Sequence, residues 1–260
     1  MGNLSREVWI ASIIEGLFGD TTFASRSINH SEFVNFLTVN VPNAGGGSNV
    51  EKNRTSLPAT VETRDDFNLT YNINEFTTDP IRVPHAETVE LSYNKRESII
   101  RVDRATLHDK VHLDLLTTWL TGAAAIAPGA NEKATVLLCK RQFDNDHIPQ
   151  VGRCMMLNAE GYNNLLEQLT DSETNHFLAG ADPIRGILGK WMGFDYYMHS
   201  TLDGTSNGMA WWDNAVSRAL GDVVFFDNPG DATYYSDIMS FLVRAGGRAI
   251  RHDTKGVLKF

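Results

Sequence analysis

Between residues 88 and 121 the apolar positions recur every three or four residues. Leu107, Val111, Leu115 and Trp119 form the stripe, Leu116 and Leu120 widen it, and neither Pro nor Gly interrupts it. This spacing predicts one long helix over most of the span. Gly122 follows as a C-terminal glycine. A shorter stripe of Trp9, Ile13 and Leu17, with Ile10 and Ile14 beside it, predicts an amphipathic helix over 6–18 that stops near Gly19. Elsewhere the period is two. Phe67, Leu69, Tyr71 and Ile73 alternate with Asn68, Thr70, Asn72 and Asn74, the pattern of a half-buried strand. "PATVET" (58–63) is expected to pair with it across "RDD". A hairpin this polar has little core of its own, and an isolated hairpin is marginal in water. "FVNFLTVNVP" (33–42) is read as one strand ended by Pro42, and "NAGGGSN" (43–49) as a flexible hinge.

The second half alternates between the two periods. "ATVLLC" (134–139) and "GRCMMLN" (152–158) are read as strands, with Asn158 capping a helix "AEGYNNLLEQL". "GILGKWMGFDYYMHS" is a strand pair around a turn. "MAWWDNAVSRALG" (209–221) is read as a helix closed by Gly221, and "DVVFFDN" as a strand. The last stretch, "YYSDIMSFLVRAGGRAIRHDTKGVLKF", is read as strands around a Gly246-Gly247 turn. No internal repeat is present. The mixture defines an α+β chain.

Composition narrows the function. The chain has 260 residues, 42% apolar and 21% charged, which is globular composition. A net charge of −9 excludes a protein that grips nucleic acid through a basic face, but is compatible with one that surrounds it. The two cysteines, Cys139 and Cys154, sit in apolar runs and are read as buried free thiols in a reducing compartment. The longest uncharged run, Leu115 to Asn131, contains Thr, Gly and Pro. It falls short of the roughly 20 apolar residues of a membrane span. The N-terminus lacks the pattern of a signal peptide.

Three motifs carry candidate chemistry. Gly204-Thr205-Ser206-Asn207-Gly208 spells the G-x-S-x-G of a hydrolase nucleophile elbow, with Asp222 or Asp227 and then His252 in the right order. However, the approach is long and polar, and residues 38–90 hold no helix where an α/β hydrolase would alternate. His108 and His112 share one helix face at the spacing of a zinc hydrolase, but Asp109 stands where Glu is needed and no distinctive third ligand follows. Gly186 to Trp191 is too short for a phosphate loop, and Asp65-Asp66 reads as a turn pair. No catalytic, cofactor or metal residue is therefore assigned.

The order of parts carries a resemblance. "VWIASIIEGLF…FASRSIN", "NRTSLPATVETRDDFNLTYNINEFTTDPIRV" and "ETVELSYNKRESII" resemble the N-arm, extended loop and start of the spine helix of the major capsid protein of tailed double-stranded-DNA bacteriophages. "PQVGRCMMLNAEGYNNLL" and "GILGKWMGFDYYMHS" resemble strands and helix of its axial domain, and "RAGGRAIRHDTKGVLKF" its closing hairpin. Encapsulins and herpesvirus capsid floors share that fold. The resemblance implies an N-arm (1–45), an extended loop (46–90), and a peripheral domain with the spine helix (91–149). An axial domain (150–230) and peripheral return strands (231–260) follow. It implies a structural protein that assembles into pentamers and hexamers around double-stranded DNA, located in the virion capsid and, during assembly, in the host cytoplasm. The partners implied are further copies of the chain, a separate scaffolding protein (no long leader precedes the N-arm), a portal and a decoration protein. DNA contact would be weak and non-specific, and no membrane is involved. Phe67, Tyr71 and Phe76 are expected to pack on a neighbouring subunit. Lys52, the single Lys of the extended loop, is the candidate for any covalent link. The alternatives are a serine hydrolase using Ser206 and an encapsulin-like shell.

Overall fold

The computed structural model describes residues 10–11, 13–14, 22–43, 50–55, 57–58, 61, 67–84, 95–199, 202, 208–251 and 255–260. Most of the expected 6–18 helix and all of the hinge beyond Asn43 to Asn49 lie outside them. After a 3-10 turn at Phe23–Ser25 come β1 (Ile28–Asn29), β2 (Val34–Asn35) and β3 (Thr38–Asn43). Then follow β4 (Phe67–Asn72), β5 (Asn74–Thr77) and β6 (Ile81–Pro84). The long helix α1 is Lys95–Thr121, as its stripe predicts. After it come β7 (Ala124–Ala125), α2 (Glu132–Asn145), β8 (Arg153–Leu157), α3 (Ala159–Gln168) and α4 (Asp171–Ala179). The chain closes with β9 (Gly189–Trp191), β10 (Phe194–Met198), β11 (Gly208–Trp212), β12 (Val216–Asp231), β13 (Ser236–Ala249) and β14 (Val257–Lys259).

Among the described residues the strands form three sheets. One runs β7-β14-β11-β8-β10-β9, with β8 and β10 parallel. Every residue of β8 is buried, because both faces of this sheet are covered. Alternation divides them: Met155 and Leu157 join Val136, Cys139, Phe143, Leu165 and Phe177 from α2, α3 and α4. Cys154 and Met156 join Leu115, Leu116 and Trp119 from α1 on the other side. The second sheet is built on the antiparallel ribbon of β12 and β13, with β1 on one edge and β5 and β6 on the other. The third is β2-β3-β4, with Val39 opposite Tyr71.

Several sequence expectations are corrected. "ATVLLC" is helix, not strand. Asn131 accepts a hydrogen bond from the Ala134 N–H and so caps α2. Thr135, Val136, Cys139 and Phe143 form its buried face at helical spacing. The β-branched Thr-Val pair masked that period. "MAWWDNAVSRALG" is not a helix. Met209, Ala210 and Trp211 lie in β11, sealed on both faces as a central strand, and Val216 begins β12. A strand buried on both sides is continuously apolar and mimics a helix in sequence. The expected strand 33–42 is broken at Phe36, which has φ 59, into β2 and β3. The alternating segment 67–74 is also divided: β4 pairs with β3, while β5 crosses to β13. Most of 58–63 and all of 62–66 lie outside the described residues, and so does their expected hairpin.

Gly246 and Gly247 do not turn. β13 runs straight through them, and the chain reverses between Asp231 and Ser236 instead. The glycines form a crossing slot. A Cβ on Gly246 would lie 3.0 Å from Ile73 Cα. On the opposite face, a Cβ on Gly247 would overlap the Ser217 carbonyl oxygen and lie 2.7 Å from Leu115 Cδ2. α1 thus packs directly on the ribbon backbone. Gly122 serves the same purpose: a Cβ there would lie 2.7 Å from that of Ala249. It lacks the left-handed conformation of a helix-ending glycine.

Candidate functional site

Among the described residues the enzyme-like motifs do not assemble into an active site. Ser206 lies outside the described residues, as does His252. The described chain runs in β10 before Ser206 and in β11 directly after it. A nucleophile elbow requires strand-to-helix. Asp222 is on the exposed edge of β12, paired with Arg244 at 3.1 Å, and Asp227 lies further out on the same ribbon. His108 and His112 do come together, with ring centroids 3.9 Å apart. Yet His112 is buried against the Phe23 ring at 4.9 Å, and Phe23 in turn meets His199 and Trp119. His112 packs the N-terminal 3-10 turn onto α1. Among the described residues no group of three His, Cys, Asp or Glu is placed to hold a metal. In the phosphate-loop look-alike, Gly186 takes a left-handed φ of 67 to end a 3-10 turn. Gly189 leaves room for the Phe177 ring, and Lys190 pairs with Asp195 at 3.2 Å.

Surfaces are more informative. Val50, Leu57 and Val61 are 91, 81 and 94% exposed. Three such side chains within twelve residues form an apolar segment that the described residues leave uncovered. A second patch, which sequence reasoning missed, is the tip of the β12–β13 ribbon. Phe226, Tyr234 and Tyr235 are exposed there, and Tyr235 holds a φ of 50. A bulky residue in that region is strained. The Tyr-Tyr pair followed by an alternating run was the available signal. Of the residues expected to face a neighbour, Tyr71 is consumed inside the chain. Its hydroxyl receives a hydrogen bond from Ser217 Oγ at 3.2 Å and contacts His30 Nδ1. Phe76 is half-buried against the main core. The side chain of Phe67 lies outside the described set.

The N-terminal segment is tied down by buried polar contacts. Arg26 donates to Asp195 at 2.8 Å and to the Tyr197 hydroxyl. Burial pushes that phenol up to about 12. Trp211 Nε1 donates to the Arg26 carbonyl, and the Arg218 guanidinium holds the carbonyls of Ala24 and Ser27. The thiols are buried as well, and Cys154 Sγ lies 3.8 Å from the Gly152 carbonyl. Burial pushes Cys139 up to about 12 and Cys154 higher than its ordinary value. Thiolate is the reactive form, so the native protein is expected to resist Ellman's reagent at neutral pH. Two thiols should titrate after denaturation; rapid labelling of the folded chain would show that these sites open.

The comparisons bear on this architecture. No family model matches the chain, and no curated protein matches it in sequence. Solved structures do match. One from Mycobacterium phage Che8 is 15% identical, covering 92% of this chain and 90% of that one at a TM-score of 0.70. The capsid of Ralstonia phage GP4 is 11% identical over 95% and 89%, at 0.65. The virus-like particle from Pyrococcus furiosus is 11% identical over 98% and 99%, at 0.64. The chain has the shell-protein fold of tailed-phage capsids. It has that fold nearly end to end, without the sequence of any of these relatives.

Proposed function

We propose that this chain is a major capsid protein whose copies build an icosahedral head around double-stranded DNA. The supporting observation is the extent of the structural likeness: at least nine-tenths of this chain matches capsid and virus-like particle subunits. The exposed apolar residues of the 50–61 segment and the aromatic ribbon tip suit repeated contacts between copies around pentamers and hexamers. In this reading residues 1–45 are the N-arm, 46–90 the extended loop, and α1 the spine of the peripheral domain. The six-stranded sheet with α2, α3 and α4 is the axial domain. That moves α2 and β14 to the sheet they cover or pair with. Phe67 and Phe76 remain candidate neighbour contacts. Scaffold, portal and decoration proteins, the virion location and assembly in the host cytoplasm belong to the same proposal.

The test is negative-stain microscopy of the purified chain across a salt series. Closed shells, rings or hexameric tiles are expected. Their yield should rise with ionic strength, because the −9 charge on each copy repels its neighbours and salt screens that repulsion. Particles that stay monomeric at every protein and salt concentration, and also when co-expressed with the scaffolding protein, would overturn the proposal. A second reading, an encapsulin-like shell, is favoured by the near-complete mutual coverage with the Pyrococcus furiosus particle. Native shells holding a protein cargo, with no nuclease-protected DNA, would select it.

A further inference from the structure

The buried stripe of α1 contains one residue of the wrong kind. Ile100, Asp103, Leu107 and Val111 follow one another on the covered face, and Asp103 is only 8% exposed. Its Oδ2 is sealed from water and has no hydrogen-bond partner among the described residues. A carboxylate so placed is costly unless a donor reaches it. Asp103 also lines a cavity of about 550 Å³ between α1 and the strands β5 and β6. That volume is far larger than the roughly 30 Å³ of one water and falls within the range of small-ligand sites.

The lining is amphipathic. Phe76, Ile81 and Leu107 supply apolar wall and an aromatic face, and Thr77, Thr78 and Thr106 supply hydroxyls. Glu75, Asp79 and Asp103 are acidic, against the single Lys110. Glu75 already shares its charge with Arg244 at 3.0 Å, which leaves Asp79 and Asp103 for a ligand. We propose that this cavity binds an alkylammonium or alkylguanidinium group, its cationic head on Asp103 and its methylenes along Phe76 and Leu107. Oδ2 itself is out of a ligand's reach, so the cation pairs with the carboxylate through the edge that lines the cavity, and the aromatic face adds a cation–π contact. Burial also holds the Asp103 carboxyl above its usual range, so it gains most from a cation that restores the charged form. The group has two sources of the same chemistry: a free polyamine, or a Lys or Arg side chain of a second copy. The latter rests on the shell reading above.

Spermidine and ethylguanidinium are titrated into unassembled subunits at matched ionic strength, with melting temperature and calorimetric heat as readouts. A saturable rise is expected for the natural chain. Asp103→Asn, which keeps the shape, should bind at least about tenfold more weakly, the loss of one charge-assisted hydrogen bond. Lys110→Ala, at an exposed helix position, should bind more tightly. No saturable response, or the same response in Asp103→Asn, overturns the site whether or not shells form. The titration is then repeated on assembled shells. Sites that still bind identify the free cation as ligand. Sites that are blocked in shells and reappear on dissociation identify the side chain of a neighbour.

Discussion

Gly247→Ala is expected to leave little or no folded protein. The added methyl would meet the Ser217 carbonyl oxygen, which is backbone, and Leu115 Cδ2 at 2.7 Å. The carbonyl cannot move away without parting β12 from β13, and Leu115, packed in the core, would have to leave its rotamer. Overpacking of a core costs about 1–3 kcal/mol when side chains can adjust. Here the backbone must move, so the loss should exceed about 3 kcal/mol. Gly221→Ala is the control. Its Cβ would meet Ile73 Cδ1 at 3.0 Å and Arg244 Cβ at 3.1 Å, with the nearest backbone atom at 3.5 Å. The clash there is confined to side chains, and its urea midpoint should fall only modestly. Equal midpoints for the two variants would mean that the crossing slot is not where α1 and the ribbon are held.

Trp119→Ala is expected to be nearly as damaging, from the other side of the same crossing. Trp119 is fully buried, and its Nε1 donates to the Ser217 carbonyl at 2.9 Å. Its ring packs on Phe23 and Trp211 at 5.8 and 6.0 Å. Truncating a buried Trp costs about 3–5 kcal/mol. An unsatisfied buried carbonyl adds roughly 1–3 kcal/mol, against a total stability of about 5–15 kcal/mol for a typical domain. Trp119→Phe separates the two contributions, because it keeps most of the volume and loses the N–H. Its urea midpoint should lie between those of the natural chain and Trp119→Ala. If Trp119→Phe matches Trp119→Ala, the hydrogen bond dominates; if it matches the natural chain, packing does. A natural-like midpoint for Trp119→Ala would refute the central place given to this residue. The two sites share Ser217, so their costs should not add.

The first prediction concerns a residue whose role was read differently in the sequence, whereas Trp119 lies on the stripe that the sequence predicts. Gly246-Gly247 reads as a turn, because paired glycines punctuate chains more often than they line a crossing. Only the arrival of Ile73 from one side and α1 from the other gives them their purpose. The mistaken helix over 209–221 has a related cause. Met209, Ala210 and Trp211 are apolar in succession because a sheet layer covers both sides of β11. That covering is long-range and leaves no periodic mark. The strand expected at 134–139 failed the other way: its helical face was present in Thr135, Val136, Cys139 and Phe143, but the β-branched pair outweighed it.

Local chemistry was enough where one face of an element is wet and the other dry. The stripe of α1 is a single-sided pattern, and its extent was legible to within a few turns at the start. The alternation of Phe67 to Asn74 was legible as strand, as were β8, the Asn158 cap and the β9–β10 pair. The linear order of these parts carried the capsid fold. Tertiary structure alone decided which distant strands pair, since partners such as Ile28 with Ser217 or Val39 with Tyr71 leave no trace in local periodicity. It decided that Tyr71 bonds within the chain to Ser217 and His30, and that 50–61 and the ribbon tip carry exposed apolar side chains. It also decided that Asp103, one acid among many in the sequence, stands beside a cavity with an oxygen that no donor among the described residues satisfies. Burial is a sum over distant neighbours, and a sequence read locally cannot supply it.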